Sequence, residues 1–170
     1  MPTAPFPFKD LGPCQVLWNS VDMGPTHGGV VFKEELHSVD IHEDGHGDTP
    51  IDAIFTGRIV SIEAKFTRLT LAQLDALIES ATAGASKLTV LNSVGNAMYA
   101  NAKELVLKPL VDNVASATSS EWLHLLKAYP VASANFTYDN NNQRILTVVF
   151  KCFPSRDTGT LNQMWRVGPA

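Results

Sequence analysis

Between His37 and Asp48 the chain reads HSVDIHEDGHGD, which gathers His37, Asp40, His42, Asp44, His46 and Asp48 into one short stretch. Imidazoles and carboxylates are the ligand types that suit zinc, manganese or iron. On an extended strand Asp40, His42 and Asp44 would share a face. Read that way, the chain is a metal-dependent β-barrel enzyme using His37, His42 and His46. Ligands from a second, distant part of the chain are scarce, because His124 is the only downstream histidine. The plainer reading is a solvated loop whose polar residues pack between subunits, with no metal and no cofactor.

Other catalytic patterns are weaker still. Serines are plentiful, but no Gly-x-Ser-x-Gly elbow is present. Cys152 lies mid-strand between Lys151 and Phe153, a poor setting for a reactive thiolate. No Gly-rich phosphate loop follows a strand and opens a helix. Glu34 and Glu35 fall on opposite faces of one strand and cannot flank a scissile bond together. A non-enzyme is expected. A carbohydrate-binding β-sandwich is a further class, and its signature would be exposed tryptophans on a flat face. Only Trp18, Trp122 and Trp165 are available, mostly in apolar surroundings.

The 170 residues favour a single domain over 1–170, long enough to bury a core without staples. Charged residues make up only 18%, which hints that some surface is covered in an assembly. The formal net charge is −4 and no Lys/Arg run occurs, so tight phosphate-driven nucleic-acid binding is not expected. Cys14 and Cys152 are read as buried free thiols in a reducing compartment. No signal-peptide pattern and no run of ~20 apolar residues is seen, so a soluble cytosolic chain is expected.

The elements that would position these residues are mostly strands. Residues 1–13 hold four prolines and read as an extended N-terminal arm. Gln15–Val21 reads as a strand and Met23–Gly29 as a turn. Val30–Glu43 is extended. Val30, Phe32 and Leu36 share one face while Val39 and Ile41 take the other parity, which predicts a bulge near His37. Asp44–Pro50 is a loop. Arg58–Phe66 alternates, with Val60, Ile62, Ala64 and Phe66 on one face and Ser61, Glu63 and Lys65 on the other. Leu71–Ala83 is the one expected helix, opened by a Thr70/Gln73 capping box and ended at Gly84.

Beyond that helix, Lys87–Asn92 reads as a strand, and 96–102 is ambiguous. Residues 104–111 are apolar, and Ala115–Ser120 is a polar linker. Trp122–Val131 fits strand or short helix, with an extended ending at Tyr129-Pro130-Val131. Asn135–Phe153 reads as a hairpin turning at Asp139–Gln143. Its second strand, Ile145–Phe153, is apolar on both faces and so central. The tail 155–170 is polar, with Trp165 as an anchor.

One ordered pattern stands out. Asp44-x-x-x-Asp48-Thr49-Pro50-Ile51-Asp52 is followed by Gly57-Arg58-Ile59-Val60, an alternating strand and an amphipathic helix. It resembles the tail tube (major tail) proteins of tailed bacteriophages, well over about residues 14–92 and in outline elsewhere. The resemblance implies a mainly β fold, a β-sandwich or flattened barrel with one flanking helix. Six copies would close into a ring, and rings would stack into a hollow tube around a tape-measure protein. DNA would pass through that tube without specific binding. The loop 40–57, with Asp44, Gly45, Gly47, Asp48, Thr49, Pro50, Asp52 and Gly57, would reach the neighbouring ring. The arm 1–13 and the tail 155–170 would cross between subunits.

Glu63 is a candidate lumen residue, and an outward placement is equally open. Further implied partners are a baseplate or initiator, a tail terminator and a sheath, with no membrane. The location would be the virion tail, assembled in the host bacterial cytoplasm. A tube initiator, distal tail or terminator ring is the nearest alternative role. The pattern departs from the family in the extra Gly/His content of the loop and in the poorly patterned stretch 96–120.

Overall fold

The computed structural model describes residues 12–134 and 144–169. Two long antiparallel strands of 16 and 15 residues dominate the fold. In chain order the first strands are β1 (Cys14–Trp18), β2 (Val21–Asp22), β3 (Thr26–Ile41) and β4 (Asp52–Phe66). Helix α1 (Leu71–Leu77) follows, then β5 (Ala81–Ala83), β6 (Leu88–Val90) and the single turn α2 (Met98–Asn101). The second half supplies β7 (Lys103–Val111), β8 (Val114–Ala115), β9 (Leu123–Ala134), β10 (Leu146–Cys152) and β11 (Trp165–Val167). The protein is mainly β, built on a large antiparallel sheet with few helices. No helix among the described residues is long and apolar enough to cross a membrane.

The main sheet runs β2-β1-β7-β9-β10-β4-β3, with β11 added beside β9 and β8 beside β7. Residues from both ends of that order share one core. Val16 and Met23 at one end pack in the same cluster as Val60, Ile62, Ala64 and Phe66 at the other. The sheet therefore curls over its own inner face. Phe66 and Phe150 meet edge to face there, 6.4 Å between centroids, an arrangement that suits the ring quadrupoles.

The alternation read for Arg58–Phe66 is realised: Val60, Ile62, Ala64 and Phe66 are all buried. The strand itself begins earlier, at Asp52. The expected bulge is present. Pairing steps from His37↔Gly57 to Ser38↔Phe55, so the extra residue is Thr56 on β4. The segment Met23–Gly29 is only partly a turn, because β3 already starts at Thr26. A second register shift between Thr26 and Val30 accommodates Gly28 and Gly29, both at left-handed φ.

Several expectations are corrected. The helix stops at Leu77 rather than Ala83. Ile78 is extended, Ser80 turns the chain at φ 55°, and Ala81–Ala83 pairs with Leu88–Val90 as a small hairpin. The Asp75 carboxylate accepts the Ala83 N–H at 3.0 Å, which offers that segment a bond competing with the helical ladder. Gly84 is thus a hairpin residue and not the helix terminator. The start of the helix follows the sequence: the Thr70 hydroxyl accepts the Gln73 N–H and the Gln73 amide oxygen accepts the Thr70 N–H.

Gln15–Val21 is not one strand, because Asn19 and Ser20 take left-handed φ values and close a two-residue hairpin. Trp122–Val131 is strand, and it continues past Pro130 to Ala134. Pro130 lies beyond the last β7 partner, Ala128, where β9 keeps one hydrogen-bonded neighbour and a missing N–H is tolerated. β10 is central as expected, between β9 and β4. The hairpin turn expected at 139–143 and the whole of its expected first strand, 135–138, lie outside the described residues, as do residues 1–11 of the arm.

Candidate self-assembly surface

β3 and β4 form one long hairpin whose two halves differ completely in environment. From Val60 toward Phe66, every second residue of β4 is buried. From Asp52 to Ile59, only Gly57 is even partly covered. The same holds opposite, where Lys33 to Asp40 are all exposed. At ~3.4 Å per residue, Glu34 to Ile41 carries the ladder about 24 Å beyond the core. Cross-strand bonds hold this arm without any third strand, and Ile51 N–H closes it by donating to Ile41 O at 2.9 Å.

That outer half carries large apolar side chains in water. Leu36 is 63% exposed, Ile59 58%, Ile54 56% and Phe55 55%, with Val39 and Ile51 also exposed. Register assigns them to both faces. Val39 lies opposite Ile54 and Glu35 opposite Ile59 on one; Leu36 lies opposite Arg58 and Ser38 opposite Phe55 on the other. A β-pair that meets solvent on one side only would show apolar residues at one parity. This one shows them at both, and its outer edge strand, β3, has no further partner among the described residues.

The residues expected at the inter-ring loop sit at the hairpin tip and along its outer half. Asp44–His46 forms one 3₁₀ turn. Gly45, Gly47, Asp48, Thr49 and Pro50 complete the tip, all exposed. Gly47 has φ 61°, a left-handed value that a Cβ would strain. His46 N–H donates to Glu43 O at 3.0 Å, and Thr49 N–H to His46 O at 3.3 Å. Asp52 opens β4 and accepts the Ala53 N–H at 2.8 Å. Gly57 lies at the bulge opposite His37.

His37, His42 and His46 are not drawn together with carboxylates into a ligand set. Among the described residues no group of three His, Cys, Asp or Glu side chains is close enough to hold a metal ion. The long hairpin explains this, since its ladder spreads those residues along a rod instead of folding them around a point.

Glu63 is half-buried on the sheet face away from the core. Its Oε2 accepts from Lys33 Nζ at 2.7 Å. That hydrogen bond, and then the charge of Lys33, hold its carboxyl below the usual carboxylate value. Each tryptophan spends its indole N–H on its own chain. Trp18 donates to Ala128 O at 3.0 Å, Trp122 to Ser116 O at 2.8 Å and Trp165 to Glu34 at 3.2 Å. Trp165 also packs edge to face on Phe32 at 5.3 Å. It is the anchor expected of it, and the described tail pairs with β9 of the same chain through Trp165–Val167. The thiols of Cys14 and Cys152 are free, and burial pushes each up to about 11.

Sequence reasoning missed one charged cluster. Tyr99, Lys103, Glu104, Lys127, Asp157 and Arg166 line a cleft of about 440 Å³. Arg156 lies over the Tyr99 ring, 4.4 Å from its centroid, and the Arg156 N–H donates to the Tyr99 hydroxyl oxygen at 2.9 Å. Lys127 pairs with Asp157 at 3.0 Å. Glu104 accepts from buried His124 at 2.8 Å and has Arg166 at 3.8 Å. These residues are scattered from Tyr99 to Arg166 in the chain, and only the β7-β9-β11 pairing assembles them. The one linear clue is that Trp122, His124 and Leu126 alternate.

Compared with known proteins, the chain matches no family model, and no curated protein matches it.

Proposed function

We propose that this protein is a structural, self-assembling subunit rather than an enzyme, and that its assembly is a stacked tube of rings of the phage tail kind. The observation that carries the reading is the outer half of the β3–β4 hairpin. It projects about 24 Å from the core with apolar side chains on both faces and an open strand edge. A monomer gains nothing from that exposure, whereas a neighbour that covers it recovers roughly 25 cal/mol for each Å² of apolar surface buried. The curled sheet would sit in the ring wall, six copies closing the edges that β3 leaves unpaired. The tape-measure protein, DNA and the initiator, terminator and sheath proteins would be its partners in a virion tail.

In this role Asp44–Asp52 and Gly57 serve contact between rings. Glu63, on the outer sheet face beside Lys33, faces either the lumen or the exterior. Negative-stain microscopy of the purified chain over a concentration series, read beside light scattering, tests the proposal. Hollow rings or tubes are expected. Single closed rings that never stack would instead favour a tube initiator or terminator. A monomer throughout, even with tail nucleus added, would sink the reading.

A further inference from the structure

We infer that the acceptor for the hairpin tip is the Tyr99 cleft of a second copy of this chain, held by opposite charge. The inference rests on the self-assembly reading and adds the surface that the hairpin meets.

The hairpin is strongly one-signed at its tip. Asp40, Glu43, Asp44, Asp48 and Asp52 are all exposed, and no lysine or arginine occurs from Glu34 to Gly57. Elsewhere on the chain, Lys103, Lys127, Arg156 and Arg166 surround Tyr99, against two carboxylates, Glu104 and Asp157. The cluster keeps an excess of positive charge. Arg166 Nε, buried behind it, has no hydrogen-bond partner among the described residues. Exposed Met98 and Leu161 are sequence neighbours of the cleft residues Tyr99 and Thr160, and they offer apolar partners for tip residues such as Ile51.

The two surfaces belong to different copies. The hairpin is a continuous ladder that leaves its own core, so its tip cannot fold back through about 24 Å to the β7-β9-β11 face. A tip-to-cleft contact between copies is heterologous, with each chain offering a different patch on each side. Heterologous contacts propagate, which is what stacking requires. Opposite charge sets the register and speeds encounter, while the apolar hairpin faces supply buried area.

Sedimentation velocity and negative-stain microscopy on the full chain, at low and high salt, test this. The wild type is expected to self-associate and to weaken as salt rises. Asp44→Lys with Asp48→Lys is expected to weaken association by about a hundredfold, since like charges would then face each other. Lys103→Glu with Arg156→Glu should do the same while leaving the Lys127–Asp157 and Arg166–Glu104 pairs in place. All four changes in one chain should restore association, which also shows that the variants fold. If the wild type assembles and the reversals change nothing, or the four-fold variant stays monomeric while folded by circular dichroism, the tip-to-cleft contact is wrong and the assembly reading stands. A wild type that stays monomeric at low salt and high concentration, even with tail nucleus added, overturns both.

Discussion

The inner and outer halves of the β3–β4 hairpin are built from the same two strands, yet they obey different rules. In the inner half, Val60, Ile62, Ala64 and Phe66 alternate with Ser61, Glu63 and Lys65, and the apolar set is buried in one core cluster with Val16, Met23, Leu77 and Phe150. In the outer half apolar side chains occupy both faces on either side of the Thr56 bulge, and Leu36, Val39, Ile54, Phe55 and Ile59 stay exposed among the described residues. The inner half stabilises the monomer. The outer half buries little within the described residues, and under the proposed assembly its apolar side chains serve contact with a neighbour. Equal hydrophobicity in sequence therefore means two different things, and the boundary falls between Ile59 and Val60.

The sharpest way to break this comparison is to place the same charge in both halves. Ile62→Asp is expected to unfold the domain, because it buries an unpaired carboxylate, and loss of the cooperative thermal transition would show it. Ile54→Asp should leave the melting curve unchanged within about 0.5 kcal/mol and abolish assembly by light scattering. Equal melting behaviour of the two variants would erase the distinction. Next in size, Phe66→Ala should cost about 3–5 kcal/mol in denaturant unfolding through the cavity beside Phe150. Phe55→Ala, in the outer half, should cost almost nothing.

Removing Asp44 to Asp52 should leave folded monomers that form no stacked tubes, and intact tubes by microscopy would contradict the tip's role. A smaller effect is expected at the helix start, where Thr70→Ala removes one half of the capping box and should cost about 1 kcal/mol. The smallest effects depend on pH. The half-buried Cys14 thiol and the buried Cys152 thiol are each raised from 9.0 to about 11, so the protonated form of each favours the folded state. That contribution is complete below pH 9 and is lost as pH rises through 11. Glu63 has the opposite sign. Its lowered pKa gives a contribution present above the ordinary carboxylate range and lost on acidification. Slow alkylation of Cys152 in the native protein at neutral pH, and fast alkylation in urea, checks the first of these.

The inner half was readable because its signal is local. Alternation at period two over Val60–Phe66 needs only a sheet to bury it, and the capping box needs only Thr70 and Gln73. The bulge was readable from the parity change between Leu36 and Val39, although its extra residue lies on the opposite strand. The helix was overread because Ile78 and Ala81 keep helical spacing with Leu74 and Leu77. A side-chain bond from Asp75 to the Ala83 N–H and a left-handed Ser80 turned that segment into a hairpin instead. Spacing alone contains no information on that competition.

The candidate site divides in the same way. The residues of the tip, from Asp44 to Gly57, were legible as a loop and an extended segment, since Gly, Pro and Asp act on their own neighbours. The absence of any Lys/Arg run was also legible, and it concealed the basic cleft. Lys103, Lys127, Arg156 and Arg166 stand far apart in the chain. They converge because β9 pairs with β7 on one side and with β11 on the other.

By itself, then, the sequence determined which segments are extended, where the strand changes face and which residues could be core, because each of those depends on neighbours a few positions away. Only the tertiary structure decided that the apolar side chains of the outer hairpin stay exposed among the described residues, and that scattered cations meet around Tyr99. Both depend on which strands pair across long separations, and that choice is made by the burial of the whole sheet rather than by any local stretch.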